Sequence, residues 1–471
     1  MSSLEEQIRK ILAEELGSTT SSTNNTVSTG NNKGVYGNVD EAVQAAKAAQ
    51  EIFVDCSIET RNKVIDSLKE GFTPLLDHIA TEIVNETGMG TKEAKIKKLE
   101  NALYNTPGTE DLTSEIQTGD GGLIMYEYAP FGVIGAVTPS TNPVETVIAN
   151  AIMMLAGGNT VYFSVHPGAK AISRWAVEKC NEFIEAATGL KNLVVTIEKP
   201  SIEAAQEMMG HKDIAALVVT GGPGVVHQAM ISGKKAIGAG AGNPPAMVDA
   251  TANLSLAARN IVDSAAFDNN ILCTAEKEVV AESAIKDELI RLMQQEGAFL
   301  VTNPKDIETL TSMTITEKGT PSRDYIGKDA TFILDSAGIN YSGQPKLIIL
   351  EADKNHPLVV KEMLMPIVPV VCARDFDDML KTAVEVEDNN HHTASIHSGN
   401  LVNINKAAHR MNTSIFVVNG PTYSGTGVGF TGASALTIST PTGEGTTTAK
   451  TFTRRRRLNS PEGFSMRVWR D

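Results

Sequence analysis

The sequence predicts an α/β protein built on doubly wound parallel sheets. Three observations point there. From about residue 131, short apolar runs rich in Val and Ile alternate with helical patterns. A second set of the same kind runs from about 244 to 420. The chain has 471 residues, 41% of them hydrophobic and 21% charged, which suits two or three soluble domains with cores of their own. No internal repeat is visible.

Residues 1–17 stand apart. Leu4, Ile8, Ile11, Leu12 and Leu16 share one face of a helix, with Glu6, Arg9 and Lys10 elsewhere and Glu15 near the stripe. Residues 18–34 are almost wholly Gly, Ser, Thr and Asn, the composition of a flexible tether. A short amphipathic helix on a tether reads as a docking peptide for another protein. Packing back on the body is the alternative. The acidic, amphipathic start is not a secretory signal.

The body is expected to start near Val35. Asp40 to Phe53 is Ala-rich and helical, capped by Asn38 or Asp40, and 58–88 reads as a second long helical region ending at Gly88. Then come strand Gly132–Val137, a helix from Glu145, strand Thr160–Phe163, a helix from Ala169, strand Leu193–Ile197, a helix from Ile202 and strand Ile214–Val219. The uncharged stretch Thr146–Val165 is interrupted by Asn150, Gly157, Gly158 and Asn159, so it reads as helix, turn and buried strand, not a membrane span.

The net charge of −15 argues against nucleic-acid binding. Arg454 to Arg457 are a local exception, read as a strand or edge segment paired with acidic neighbours or a partner subunit. The four cysteines form no C-x-x-C pair, so neither zinc nor a disulfide framework is indicated, and a reduced cytoplasmic compartment fits. Cys180 and Cys372 read as buried small hydrophobes, and Cys56 carries no signal. Cys273 differs. In Ser264-Ala-Ala-Phe-Asp-Asn-Asn-Ile-Leu-Cys273-Thr-Ala-Glu-Lys277 it sits where a helical pattern from Leu254 to Phe267 breaks and strand Glu278–Ala281 begins. A thiol there is expected to face a cleft and backbone N–H donors, both of which favour the thiolate.

Two further features bear on chemistry. Val219-Thr-Gly-Gly-Pro-Gly-Val-Val226 is a strand, a Gly-rich turn and a helix start, a place where phosphate meets free N–H groups. It lacks the third glycine of a Rossmann fingerprint, and an ordinary strand-to-helix turn has the same residues. Phe163-Ser-Val-His-Pro-Gly-Ala-Lys170 is a second strand end, suited to an adenosine ribose. Between Asp213 and Asp249 there is no Asp or Glu, and the interval holds Gly238-Ala-Gly-Ala-Gly-Asn-Pro-Pro245, a loop with no general base.

These segments together resemble the aldehyde dehydrogenase superfamily, and within it the CoA-acylating branch linked to bacterial microcompartments. The matching segments are Val137-Thr-Pro-Ser-Thr-Asn-Pro143, Val219-Thr-Gly-Gly222, Ala239-Gly-Ala-Gly-Asn-Pro-Pro245, Phe267-Asp-Asn-Asn-Ile-Leu-Cys273, Lys361-Glu-Met-Leu-Met-Pro366, His392-Thr-Ala394 with Ile396-His-Ser398, and Thr440-Pro-Thr-Gly-Glu-Gly445 with Thr451-Phe-Thr-Arg454. They run in the family's order from about 35 to the C-terminus. Two segments depart from close relatives: Thr426-Gly-Val-Gly-Phe-Thr-Gly432, where a Gly-Gly-Glu-Gly loop often stands, and the tail Asn459–Met466.

The resemblance implies a fold of three parts. They are a Rossmann-type nucleotide-binding domain over 35–236, an α/β catalytic domain over 237–448, and a bridging or oligomerisation element from about 118–130 and a strand in 449–471. It implies that Cys273 attacks an aldehyde and that Asn142, with the backbone N–H of Cys273, holds the oxyanion. Hydride passes to NAD, leaving a thioester. Cofactor contacts are implied for Thr138, Pro139, Ser164, His166, Thr220, Gly221, Gly222 and Glu362, the last at the nicotinamide ribose. Hydrolytic members use a glutamate whose region matches Gly240-Ala-Gly-Asn243 here, so coenzyme A is implied as the co-substrate that releases the acyl group. The implied substrate is propionaldehyde or acetaldehyde and the implied assembly a homodimer or homotetramer. Residues 1–17 resemble encapsulation peptides that address shell proteins of a microcompartment. No metal, nucleic acid or membrane partner is implied, and His392 and His397 are given no catalytic role. Hydrolysis to the free acid, or a non-catalytic cargo or scaffold protein, remain the other readings.

Overall fold

The computed structural model describes residues 33–461. The helix expected over 1–17 and most of the tether expected over 18–34 lie outside the described residues. Lys33 and Gly34 belong to the body, not the tether: Asn181 Nδ2 donates to the Lys33 carbonyl at 3.1 Å, and Lys33 Nζ meets Glu182 at 3.1 Å.

The first expected helix spans Val39–Phe53, with Asn38 Oδ1 accepting the Glu41 N–H at 2.9 Å. The long helical region over 58–88 is instead two helices, Ile58–Phe72 and Leu76–Thr87, separated by a 3₁₀ turn. Pro74 explains the break, since it has no N–H to continue the first helix. Gly88, at φ 64°, ends the second as expected. A further helix, Lys92–Tyr104, was not foreseen. Its run of Lys and Glu reads as solvated surface, yet Lys95 and Lys98 are fully buried.

The first sheet has six parallel strands in the order β1 (Val35–Tyr36), β6 (Val194–Ile197), β5 (Thr160–Ser164), β4 (Val133–Val137), β7 (Ala216–Thr220) and β8 (Lys235–Ala239). Strand order reverses beside β4, and Val137 pairs with both Ser164 and Val219. The carboxyl ends of β4, β5 and β7 therefore open onto one crevice, where ligands bind in such sheets. The uncharged stretch is core: every residue of helix Pro143–Ala156 and of β5 is buried. No helix among the described residues is long and apolar enough to cross a membrane.

The second sheet has seven parallel strands in the order β11 (Ala298–Val301), β12 (Leu347–Glu351), β13 (Ile367–Ala373), β10 (Glu278–Glu282), β9 (Pro245–Val248), β14 (Thr393–His397) and β15 (Ile415–Val418). The carboxyl end of β8 leads through residues 240–244 to the start of β9, beside β10 and the segment that carries Cys273. A two-stranded pair, β16 (Ile438–Ser439) and β17 (Gly445–Thr446), follows.

The small third sheet joins β18 (Thr453–Pro461) to β3 (Gly122–Pro130), which also pairs with β2 (Glu115–Gly119), all antiparallel. Arg454 to Arg457 lie exposed on β18. Arg455 pairs with Glu115 at 2.8 Å and covers the Tyr126 ring, as acidic and aromatic neighbours would have it. Cys180 is buried, as read, but Cys372 is exposed. Val371 and Ala373 turn into the core, so strand alternation points Cys372 to the other face, at its uncovered end.

Candidate active site

Cys273 is reached through an unusual stretch of backbone. Helix Leu254–Ala266 ends, and Asp268, Asn269 and Asn270 follow with φ of 51°, 54° and 64°. Asp and Asn are the non-glycine residues that tolerate this left-handed region best, which accounts for two amides before the cysteine. Each side chain is tied down. Asp268 Oδ1 accepts the Thr91 N–H at 2.9 Å. Asn269 Nδ2 donates to the Gly327 carbonyl at 2.9 Å and to Asp329 at 2.8 Å. Asn270 Nδ2 donates to the carbonyls of Ala265 and Glu276 at 2.8 and 3.0 Å. Lys277, itself buried, donates to the Asn270 carbonyl, Asn270 Oδ1 and the Leu272 carbonyl at 2.9, 2.7 and 2.9 Å.

The half-buried Cys273 packs against Ile415, Val417, Ala435 and Ile438. Burial first, and then the Glu362 carboxylate, push its thiol up to about 12, against the pull of Lys277 and Lys98. The expectation that this junction favours the thiolate is therefore corrected. The site is more enclosed than the sequence break implied, and desolvation penalises the charged form.

Asn142 precedes helix Pro143–Ala156 and its own carbonyl accepts the Thr146 N–H at 3.1 Å. Its Oδ1 accepts from Lys98 Nζ. An ammonium has no acceptor, so the amide oxygen must face Lys98 and the NH₂ end is left for a ligand. Lys98 belongs to a buried cluster with Lys95, Glu145 and Asp268. Lys95 Nζ stands 3.1 Å from Asp268 and donates to the Thr141 carbonyl at 2.6 Å; Lys98 Nζ stands 3.4 Å from Glu145 and also pairs with Asp268. Burial works against the charge of Lys98, but Asp268 and Glu145 outweigh it and hold its pKa above the ordinary value. Burial likewise opposes the Asp268 carboxylate, and Lys95 and Lys98 still hold its pKa low. Sequence reasoning missed this cluster. Asp268 was inside the cysteine motif but given no role, and nothing local marks two lysines on a polar helix as buried.

The loop before β9 leaves no room for a side chain at Gly240 or Gly242. A Cβ on Gly242 would lie 2.8 Å from the Cys273 carbonyl oxygen and 2.9 Å from the His392 ring, and one on Gly240 would lie 2.7 Å from Pro441. Glu362 Oε1 accepts the Gly242 N–H at 3.3 Å, and burial raises its carboxyl to about 7. Asn243 Nδ2 anchors the loop to the Val359 and Val386 carbonyls at 2.8 and 2.9 Å. His392 and His397 are buried, and burial lowers both to about 4, so both rings are neutral.

The other sequence-marked residues gather at the crevice of the first sheet. The Thr138 N–H donates to the Ser164 carbonyl at 3.2 Å, while the buried Thr138 hydroxyl has no partner among the described residues. His166 Nδ1 accepts the Gly168 N–H at 2.9 Å and the ring lies exposed. Thr220 meets the Thr437 hydroxyl at 3.2 Å. Gly222 caps helix Pro223–Ile231 with no side chain on its N–H groups. A Cβ at Gly221, Gly222 or Gly224 would meet nothing within 4 Å, so these glycines leave the helix end open instead of admitting protein packing. A cavity of about 380 Å³ runs from Pro223 and His227 past Gly240 and Ala241 to His391 and Pro441. An open helix N-terminus, an orphaned hydroxyl and this cavity fit a dinucleotide pyrophosphate or a CoA chain. No cluster of metal-ligating side chains occurs among the described residues.

The aldehyde dehydrogenase family profile matches residues 13–454. The CoA-propanoylating propanal dehydrogenase of Salmonella typhimurium is 47% identical over 99% of both chains. Three solved structures are similar. A Rhodopseudomonas palustris propionaldehyde dehydrogenase with bound CoA and an acylated cysteine has a TM-score of 0.90 at 44% identity, covering 91% of this chain and 98% of its own. An engineered glycolyl-CoA reductase with bound NADP+ gives the same four values. The propionaldehyde dehydrogenase of the Clostridium phytofermentans fucose utilisation microcompartment has a TM-score of 0.90 at 43% identity, covering 92% and 99%. The chain belongs to the aldehyde dehydrogenase family, in its CoA-acylating branch.

Proposed function

We propose that the protein oxidises a short-chain aldehyde, propionaldehyde or acetaldehyde, to its acyl-CoA through a thioester on Cys273, with NAD as oxidant. The observation that carries this reading is the loop at Gly240–Gly242, which brings backbone against Cys273 and offers no carboxylate.

Cys273, a thiol in the ligand-free protein, gives up its proton to the medium, and the thiolate so formed attacks the aldehyde carbon. The negative charge that develops on oxygen is met by the Nδ2 hydrogens of Asn142 and the Cys273 backbone N–H. The bound dinucleotide supplies the hydride acceptor; Thr138, Pro139, Ser164, His166, Thr220, Gly221, Gly222 and Glu362 would hold it. Loss of hydride from the thiohemiacetal carbon leaves the thioester. The loop holds no base to activate water, and the carboxylate bonded to it, Glu362, is assigned to the dinucleotide, so the thioester waits for the CoA thiolate. That thiolate attacks the acyl carbon, the same amide meets the second oxyanion, and acyl-CoA departs as the Cys273 thiolate reforms. Purified protein with aldehyde and NAD is expected to make NADH in steady state only when CoA is present. Equal turnover without CoA, with free acid accumulating, would overturn the reading. Cys273→Ala is expected to abolish NADH formation.

The setting proposed is the cytoplasm, within a bacterial microcompartment, with residues 1–17 docking on shell proteins. The relative from a fucose utilisation microcompartment and the amphipathic pattern of Leu4, Ile8, Ile11, Leu12 and Leu16 support it. A homodimer or homotetramer is proposed through the sheet that carries β18, whose Leu458 and, on β2, Ile116 are exposed. Sedimentation at the mass of one 50.2 kDa chain would refute it.

A further inference from the structure

The geometry points to Lys98 as a positioning residue of the oxyanion site: by holding Asn142 Oδ1, it turns the amide's N–H end to the reacting oxygen. The inference rests on the reading of Cys273 and Asn142 given above.

A primary amide has an acceptor end and a donor end of nearly the same shape. Rotated by half a turn, Asn142 would present its oxygen to a developing oxyanion and repel it. A partner that both donates and accepts would tolerate either orientation. Lys98 only donates, and it is fully buried, so the flipped amide would set N–H against ammonium with no water to relieve it. The same ammonium polarises the amide and places a positive charge behind the donor.

The surroundings fit that task. Lys95, one turn earlier on helix Lys92–Tyr104, donates to the carbonyl of Thr141 and so pins the backbone next to Asn142. Glu145 comes from the first turn of the helix that Asn142 starts, and Asp268 from five residues before Cys273. Two cations and two anions sum to zero, which lets a full charge sit in the core. Through Asp268 the cluster also ties the amide donor to the loop of the nucleophile.

The test is a double-mutant cycle read as steady-state kcat and as the rate of NADH formation in a single turnover. Lys98→Met is expected to lower both by about 100-fold, the scale of one lost oxyanion donor, with KM for NAD held within about twofold. In an Asn142→Ala background the same change is expected to cost less than about threefold, because its partner is already gone. Losses that multiply in full, or a Lys98→Met enzyme at the wild-type rate, would overturn the proposal. A merely structural lysine gives multiplying losses. Should Lys98→Met alone not fold, Lys98→Met with Asp268→Asn removes one charge of each sign. An Asn there keeps an oxygen for the Thr91 N–H, and the rate is compared with Asp268→Asn alone. An Asn142→Ala enzyme at full rate would bring down the oxyanion assignment itself. A slow Asn142→Ala beside a fast Lys98→Met removes only the role of Lys98.

Discussion

Gly242 lies against Cys273 so closely that a Cβ there would stand 2.8 Å from the cysteine's carbonyl oxygen. Backbone meets backbone at this contact, with the His392 ring 2.9 Å from the same position. Gly242→Ala is expected to push the cysteine loop out of register and cut CoA-dependent NADH formation by more than about tenfold, since small displacements of reacting groups are costly. It is not expected to release free acid. Kinetics with product analysis check both, and a wild-type rate would show that the loop yields.

The raised thiol has a readable pH signature. Below its pKa the thiolate fraction of Cys273 grows tenfold per pH unit, so alkylation of the ligand-free enzyme by iodoacetamide, followed at the Cys273 peptide in a Cys56→Ser, Cys372→Ser background, is expected to keep accelerating beyond pH 9. A plateau near pH 7 would contradict this. Glu362→Gln removes the second cause of the shift and is expected to speed alkylation several-fold at pH 8, while raising KM for NAD.

Glu276 offers a test on stability. It is fully buried, its Oε1 accepts the Thr422 N–H at 3.2 Å, and burial raises it to about 7. A carboxyl raised on folding favours the native state below its unfolded pKa, near 4.5, and that contribution is lost as pH rises through about 7. Glu276→Gln keeps the acceptor and never ionises. It is expected to change little at pH 4.5 and to stabilise the protein at pH 8 by up to about 3 kcal/mol, measured by denaturant or thermal unfolding. Destabilisation at pH 8 equal to that at pH 4.5 would refute a buried, ionising Glu276.

Deleting residues 1–18 is expected to leave CoA-dependent activity within about twofold while preventing co-purification with shell proteins, as befits a tethered peptide. Loss of activity would refute an independent docking role.

Much of this architecture was legible in the residues, for physical reasons. The strands β4 to β7 are short apolar runs between turn residues, and the helical pattern expected from Leu254 to Phe267 forms a helix over Leu254–Ala266. Cys273 and the carboxylate-free glycine loop stood out because an odd residue type or its absence marked each setting, whereas Asn142 was marked only by the family resemblance. Helix Lys92–Tyr104 did not, because Lys95 and Lys98 are buried against Glu145 and Asp268, partners about 50 and 170 residues away in the chain. Periodicity counts a lysine as surface; only tertiary pairing makes it core. The thiolate expectation failed for a related reason. A break between helix and strand marks a loop in the chain, but how much water reaches it depends on β15 and the Ala435–Ile438 segment, distant in sequence.

The buried quartet has a consequence for when the protein becomes an enzyme. Its charges arrive on three segments that the chain supplies at widely separated points. On the roles proposed above, a chain whose cysteine loop has formed but whose helix Lys92–Tyr104 has not docked lacks the Lys98 contact that orients Asn142. On that reading, competence belongs to the finished tertiary structure and to no local segment of it.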